Sequence, residues 1–180
     1  RFLFVGRIMK EKGVDEFFAA AKTLKAEFGE KVAFDVVGFY EDAYKELVDQ
    51  LVAEGVVTFH GFQTEVHPYY ASASCIVLPS YHEGMSNVLQ EAEATARPVI
   101  ASDINGCREI FENGVSGLAF LPQNADSLTE TIERFLLLAP EERAEMGRQA
   151  RAYVEAHFDR RQVVTEYLET LGSLIGATRC

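Results

Sequence analysis

Short apolar runs alternate with longer segments of helical periodicity along most of this chain, and that alternation constrains the fold more than any other feature. The first run, Phe2 to Val5, ends at Gly6, and from Gly13 to residue 28 apolar side chains recur three and four residues apart, as on one face of a helix. Further apolar runs predict strands at 32–37, 56–59, 75–78, 98–101 and 118–120. Helical spacing predicts helices at 44–51, 64–73, 86–95, 106–112, 128–136, from Pro140 onward, and at 159–175.

Strands that alternate with helices of this length predict βαβ units, which form a parallel sheet covered by helices on both faces. We therefore expect an α/β fold, a doubly wound parallel sheet of about six strands with a helical C-terminal extension, as a single domain over residues 1–180. The apolar stripe of the last helix comprises Val163, Tyr167, Leu171 and Leu174. In such sheets ligands bind beyond the carboxyl ends of the strands, so the strand-to-helix loops are the places to seek a site.

Charge and composition exclude several classes of partner. The chain has 17 Lys and Arg against 28 Asp and Glu, a net charge of −11, and its longest basic run is Arg160-Arg161. Because nucleic acids are bound by clustered cations, we expect no nucleic-acid partner. No apolar run approaches the roughly 18 to 20 residues that cross a bilayer, so no transmembrane segment is expected. An anionic ligand would have to be held by a few local cations against the overall field.

The cysteines indicate the redox environment of the protein, and the first residues indicate whether the chain is a part of a longer one. Cys75, Cys107 and Cys180 are an odd number without CxxC spacing, which favours a reduced, cytoplasmic environment; within that set Cys75 is expected in the core. The chain begins at Arg1, without Met and directly inside an apolar run. We interpret it as part of a longer protein.

The loop after the first strand is a candidate phosphate site. It runs from Gly6 to Gly13 and places Arg7, Lys10 and Lys12 just before a helix, where free N–H groups and the positive dipole end favour an anion. Alternatively these are solvated loop charges, the interpretation that we favour for Lys10 alone. The glycine spacing matches neither the dinucleotide fingerprint nor the P-loop.

The loop after the fourth strand is a second candidate site. Gly84 and the amides that follow it open a helix, with Glu83 in the loop and Glu91 further along the helix. Carboxylates accept two sugar hydroxyls at once, so the pattern suits a ligand with hydroxylated rings on either side of a phosphate. Alternatively Ser86 is a helix N-cap and both glutamates are solvated. A glycosidase pair is rejected, since eight helical residues rise about 12 Å and place both carboxylates in one direction.

The remaining polar and aromatic positions are weaker candidates. The four histidines and the acidic residues show no metal-ligand spacing, so no metal is expected; His82 is interpreted as a loop-packing residue. Asp103 and Asn105 either line the cleft or form a turn. The aromatic residues near Gly38 and at Phe62 end two strands, where they either stack on a base or only cover the core.

Four segments taken together carry a family resemblance. They are Gly6-Arg7-x4-Lys12-Gly13-Val14, Gly61-Phe62, Pro79-Ser80-Tyr81-His82-Glu83-Gly84-Met85-Ser86-Asn87-Val88-Leu89-Gln90-Glu91-Ala92 and Arg97-Pro98-Val99-Ile100-Ala101-Ser102-Asp103. This pattern closely resembles the C-terminal half of group 4 retaining glycosyltransferases and covers essentially the whole chain. The resemblance implies a Rossmann-like domain that binds the sugar nucleotide, one half of a GT-B enzyme whose other half binds the acceptor.

The resemblance also implies roles for individual residues. Arg7 and Lys12 would bind the donor diphosphate and Glu83 the transferred sugar, which makes these three the catalytic set. The other donor-binding residues would be Gly6, Gly38, Phe62, Ser80, Gly84, Met85, Ser86, Asn87, Val88 and Glu91, with amides of 84–87 near the phosphates, Glu91 on the ribose and Gly38 and Phe62 near the base. No metal or other cofactor is implied.

The Gly-Met-Ser-Asn variant of the motif is similar to that of enzymes that extend lipid-linked or capsular polysaccharides with UDP-sugars. The implied activity is hexosyl or N-acetylhexosaminyl transfer with retention, in the cytoplasm or at the inner membrane through the missing half. The isolated domain would bind the nucleotide and transfer nothing. The last helix packs either on the missing half or on this domain. A sugar-nucleotide epimerase or phosphorylase of similar fold, and a non-catalytic sugar-nucleotide binding module, are the alternatives.

Overall fold

The strands of the chain form one parallel sheet, which confirms the predicted α/β architecture. The structure, a computed structural model, describes the backbone of residues 1–177 and the side chains of residues 1–161 and 164–174; the Val163 side chain and Cys180 lie outside these described residues. The described part contains six strands: β1 Phe2–Val5, β2 Phe34–Val37, β3 Thr58–Phe59, β4 Cys75–Leu78, β5 Val99–Ser102 and β6 Gly117–Phe120. Their order across the sheet is β3-β2-β1-β4-β5-β6.

Helices connect the strands and continue beyond the last one. Within residues 1–177 they are α1 Val14–Phe28, α2 Lys45–Ala53, α3 His67–Ser72, α4 Asn87–Ala94, α5 Ala125–Leu137, α6 Pro140–His157 and α7 Arg160–Ala177. Helices α5 to α7 form the expected C-terminal extension. Each helix in this part of the chain is too short or too polar to cross a lipid bilayer.

Several predicted elements differ from the structure. Strand β2 begins at Phe34 instead of residue 32, and α3 spans His67–Ser72 where a helix over 64–73 was predicted. The third strand has two residues where four were predicted. The predicted helix at 106–112 is wrong, since this segment forms successive turns. Its apolar positions, Cys107, Ile110 and Phe111, are all buried as a helix face would be. However, Gly106 has a left-handed φ of +80°, and its N–H donates to the Glu109 carboxylate at 2.6 Å. The segment therefore has the burial pattern of a helix without the backbone of one.

The two faces of the sheet bury separate apolar clusters because alternate residues of a strand point to opposite sides. In β1, Phe2 and Phe4 pack on the face covered by α1 and α5, while Leu3 belongs to the other cluster. The Phe2 and Phe34 rings stack with centroids 5.4 Å apart. This double coverage holds the strands rigidly and so fixes the positions of the loops that leave their carboxyl ends.

The order of the strands determines which loops meet. Strands β1 and β4 are neighbours in the sheet, although more than sixty residues separate them in the chain. The chain winds outward from this point in both directions, toward β3 on one side and β6 on the other. In open α/β sheets a crevice opens at such a reversal, and here it lies between the loops after β1 and β4.

Glu93 is an unexpected buried acid on helix α4. Its side chain is fully buried, and neither carboxyl oxygen has a partner at hydrogen-bonding geometry among the described residues. Burial raises the pKa of Glu93 to about 8, and the nearby Ser116 hydroxyl only partly opposes this increase. A carboxyl group in such surroundings is stable in its neutral form.

We predict that Glu93 makes the stability of the domain fall as the pH rises. Between the ordinary pKa of 4.5 and the folded value of about 8, the folded state binds more protons than the unfolded state, so the free energy of unfolding decreases across this window. Glu93→Gln should remove this decrease. At pH 8 its free energy of unfolding should exceed that of the wild type by roughly a few kcal/mol. Urea unfolding at pH 5 and pH 8 measures both effects.

Glu46→Gln is the matched control, since Glu46 is an exposed residue of α2 and its loss changes the net charge equally. Equal pH dependence of the two variants and the wild type would contradict the prediction.

Candidate functional site

The loops after β1 and β4 are held against each other by backbone contacts. Gly13 has a φ of +69°, and a Cβ atom there would lie 1.9 Å from the carbonyl oxygen of Pro79. The amide of Tyr81 donates to the Glu11 carbonyl at 2.9 Å. Only glycine can occupy position 13 without moving the second loop. The close contact between the two loops therefore depends on Gly13.

Lys12, Ser80 and Glu83 form one hydrogen-bonded group across these two loops. The Lys12 Nζ atom lies 2.7 Å from Glu83 Oε1, and the Ser80 hydroxyl donates to the same oxygen at 2.7 Å. The Glu83 side chain is 13% exposed and that of Lys12 25%. Glu83 is therefore not the solvated loop charge of the alternative interpretation. An ammonium and a carboxylate are fixed at the sheet edge, with the second carboxyl oxygen, Oε2, outside this group.

Tyr81 fastens the same loop to the first helix. Its hydroxyl lies 2.8 Å and 3.0 Å from the two carboxyl oxygens of Glu16. Burial, and then the hydrogen bond to Glu16, raises the pKa of Tyr81 above its ordinary value, so it remains a donor. No local sequence signal indicated this contact, because the two residues are 65 positions apart.

The start of helix α4 bears on both interpretations of this loop. Ser86 is the N-cap, and its hydroxyl accepts from the Leu89 amide at 3.3 Å. The Ser86 amide donates to the Gly106 carbonyl at 3.0 Å, so this N–H group is already bonded within the domain. Within the described part of the chain the amides of Asn87 and Val88 have no hydrogen-bond partner. They are the open N–H groups of the helix.

The exposed loop residues of the motif lie just before this helix. Gly84 and Met85 are both exposed, and Met85 as a whole residue is 57% exposed. Gly106 supports the loop, because a Cβ atom at Gly106 would lie 2.4 Å from the carbonyl oxygens of Glu83 and Gly84. The backbone of Gly106 thus packs directly against the backbone of this loop and supports it.

Glu91 lies on α4 and is held by a tyrosine from another helix. The Tyr70 hydroxyl donates to Glu91 Oε2 at 3.0 Å. Tyr70 is completely buried in α3, while Glu91 is exposed. Sequence reasoning missed Tyr70, since nothing in its spacing distinguishes it from a core residue.

A cavity of about 230 Å³ opens at the carboxyl ends of β1 and β2. Gly38 brings these ends together, because a Cβ atom there would lie 1.8 Å from the Gly6 carbonyl oxygen. The rings of Phe39 and Phe62 are exposed, and their centroids are 6.3 Å apart. The cavity is lined by Val5, Gly6, Arg7, Val37, Gly38, Phe39, Phe62, Gln63 and Val66. Four candidates are therefore brought together: Gly6, Arg7, Gly38 and Phe62.

The weaker candidates are less closely tied to this site. Asp103 pairs with Arg108 at 2.7 Å, which fits the turn interpretation. Lys10 and His82 are exposed. Cys75 and Cys107 are buried thiols, and burial raises the pKa of Cys107 to about 12. Among the described residues no three His, Cys, Asp or Glu side chains come together as a metal site.

The fold is that of the C-terminal domain of a GT-B glycosyltransferase. The family model for glycosyl transferases group 1 matches residues 1–153, and the chain belongs to that family.

Individual relatives extend this comparison. The chain is 34% identical over 153 residues to the alpha-D-kanosaminyltransferase of Streptomyces kanamyceticus, covering 82% of this chain and 39% of that protein. It is 28% identical over 174 residues to the N,N'-diacetylbacillosaminyl-diphospho-undecaprenol alpha-1,3-N-acetylgalactosaminyltransferase of Campylobacter jejuni, covering 96% and 44%. The crystal structure of Anabaena HepE in complex with UDP superposes with a TM-score of 0.84 at 24% identity, covering 96% of this chain and 48% of HepE. The chain thus spans less than half the length of these proteins.

We predict that Gly13→Ala separates the two loops at a cost well above that of a positive φ alone. Gly55 is a matched control with a φ of +68° and no atom within 4 Å of the place that an added Cβ would occupy. Gly55→Ala should lose about 1 to 2 kcal/mol of unfolding free energy, whereas Gly13→Ala should lose roughly 3 kcal/mol or more, because the backbone of Pro79 must also move. Chemical denaturation of both variants measures the difference, and equal losses would contradict it.

Proposed function

We propose that this chain is the nucleotide-sugar binding domain of a glycosyltransferase that moves a sugar, with retention, from a UDP-sugar to a glycan or lipid-linked acceptor in polysaccharide biosynthesis. The observation that carries the proposal is the shared contact of Lys12 and Ser80 with one oxygen of Glu83, at the crevice between β1 and β4. Membership of the glycosyl transferases group 1 family supports it, as do the names of the relatives.

The proposed donor lies across the crevice. The uracil occupies the cavity bordered by Phe39 and Phe62, where aromatic faces favour stacking on a base. The diphosphate lies toward Arg7 and Lys12 and the open amides at the start of α4, which favour anions. Glu91 takes the ribose hydroxyls. Glu83 takes hydroxyls of the transferred sugar through the oxygen that Lys12 and Ser80 leave unshared.

The chemistry follows from where charge develops. As the bond from the anomeric carbon to the phosphate oxygen breaks, negative charge accumulates on the leaving UDP. Lys12 and Arg7 stabilise that charge more than they stabilise the bound substrate, which lowers the barrier. The contact with Glu83 fixes the Lys12 ammonium before the reaction, so little reorganisation is needed when the charge appears. This arrangement performs transfer of a hexosyl or N-acetylhexosaminyl group without any cofactor.

The acceptor is proposed to bind to a second domain, since the relatives are more than twice as long as this chain. Helix α7 exposes Val164, Tyr167, Leu168 and Leu171, each at least half exposed. We place this apolar face against the second domain. The 180-residue chain alone should therefore bind the nucleotide and transfer no sugar.

Lys12→Ala tests the proposed function in the full-length enzyme. Loss of one contact to the leaving diphosphate should lower kcat by about 10² to 10³, while the fold should be retained because Lys12 is partly exposed. Steady-state rates with a UDP-sugar and the natural acceptor measure the effect.

Lys10→Ala is the matched control, since Lys10 is an exposed cation of the same turn. It should leave kcat within about twofold, because a solvated charge contributes little to the site. Near wild-type turnover of Lys12→Ala would overturn the assignment.

A further inference from the structure

Tyr70 joins a buried cluster to an exposed carboxylate. Its side chain is completely buried, within the apolar cluster that also contains Leu3 and Val37. Its hydroxyl nevertheless reaches Glu91 Oε2 at 3.0 Å. A hydroxyl at the end of a ring held by close packing has few positions available to it. The oxygen that it contacts is therefore held in a definite place.

The same tyrosine is connected to the wall of the cavity. The Tyr70 amide donates to the Val66 carbonyl at 3.2 Å, and Val66 lines the cavity together with Phe62 and Gln63. Val5 and Val37, which form another part of the lining, belong to the cluster around the Tyr70 ring. The position of Glu91 is thus fixed relative to the cavity wall that would contact the base.

The hydrogen bond is directed so that the carboxylate keeps its capacity to accept. Tyr70 donates, and burial followed by the charge of Glu91 raises the pKa of Tyr70 above its ordinary value, so its proton is retained. Each carboxylate oxygen has two lone-pair sites. Glu91 can therefore accept from Tyr70 and still accept two further hydroxyl donors.

We propose that Tyr70 is a positioning residue that orients Glu91 toward both ribose hydroxyls and so sets the preference of the domain for ribonucleotides over deoxyribonucleotides. This inference rests on the proposed function, in which Glu91 binds the ribose. An exposed glutamate without such a partner would have to lose rotamer freedom when the ligand binds. Tyr70 removes that freedom beforehand, and the gain applies only to ligands that carry the hydroxyls.

The test measures the affinity of the 180-residue chain for UDP and for 2′,3′-dideoxy-UDP by calorimetry. Tyr70→Phe keeps the buried ring and removes only the hydroxyl. It should weaken UDP binding roughly tenfold, the scale of the rotamer freedom that Glu91 would then have to lose on binding, and leave dideoxy-UDP binding within about twofold. In a Glu91→Ala background the same substitution should have no effect on either ligand, since the coupling has lost its partner.

Tyr69→Phe is the matched control on the same helix. Tyr69 packs its ring against His60 with centroids 4.9 Å apart, and its hydroxyl has no hydrogen-bond partner among the residues that the structure describes. The Tyr69→Phe variant should therefore bind UDP and dideoxy-UDP with the affinities of the wild type.

The outcomes separate this inference from the proposed function. Suppose that Glu91→Ala lowers the ratio of UDP affinity to dideoxy-UDP affinity. If Tyr70→Phe then leaves this ratio unchanged, or weakens the binding of both ligands equally, the positioning role alone is overturned. Absence of UDP binding by the wild type, or an unchanged ratio in Glu91→Ala, would overturn the ribose assignment and this inference with it. Selective loss of UDP affinity in Tyr70→Phe that disappears in the Glu91→Ala background would establish it.

Discussion

The site depends on one carboxyl oxygen. Glu83 Oε1 receives hydrogen bonds from both Lys12 and Ser80, and the Lys12 contact joins loops 71 residues apart in the chain. Gly13 makes this geometry possible by allowing its backbone to approach Pro79. Without that approach the ammonium would return to solvent, where an exposed ion pair contributes little. The partly buried pair instead holds a cation and a carboxylate in fixed positions at the crevice.

The charge of the chain makes this local arrangement necessary. A net charge of −11 repels anions at long range, and salt screens such fields beyond about 8 Å at physiological ionic strength. Binding of a diphosphate must therefore come from groups in direct contact with it: Arg7, Lys12 and the open amides of α4. This is why the proposed function assigns the affinity to a small set of residues and not to the overall surface.

The sequence allowed the sheet and the main site loops to be predicted, because both follow from local patterns. Apolar runs bounded by glycines such as Gly6 and Gly38 mark where strands end, and parallel strands place those ends at one edge. Contacts between side chains distant in sequence could not be predicted. Tyr70 and Glu16 reach the site through hydroxyl–carboxylate hydrogen bonds, and their spacing is that of ordinary helix residues. The turns at 106–112 have helical burial spacing, and the partner of the Ser86 amide depends on where those turns lie.

A crystal structure of the chain with UDP tests the central claim most directly. We expect the diphosphate oxygens about 3 Å from Lys12 Nζ and the Arg7 guanidinium, with the uracil beside Phe39 and Phe62 and the ribose at Glu91. Nucleotide bound instead in the cavity of about 450 Å³ lined by Arg97 and Arg143, or no nucleotide at millimolar UDP, would contradict it.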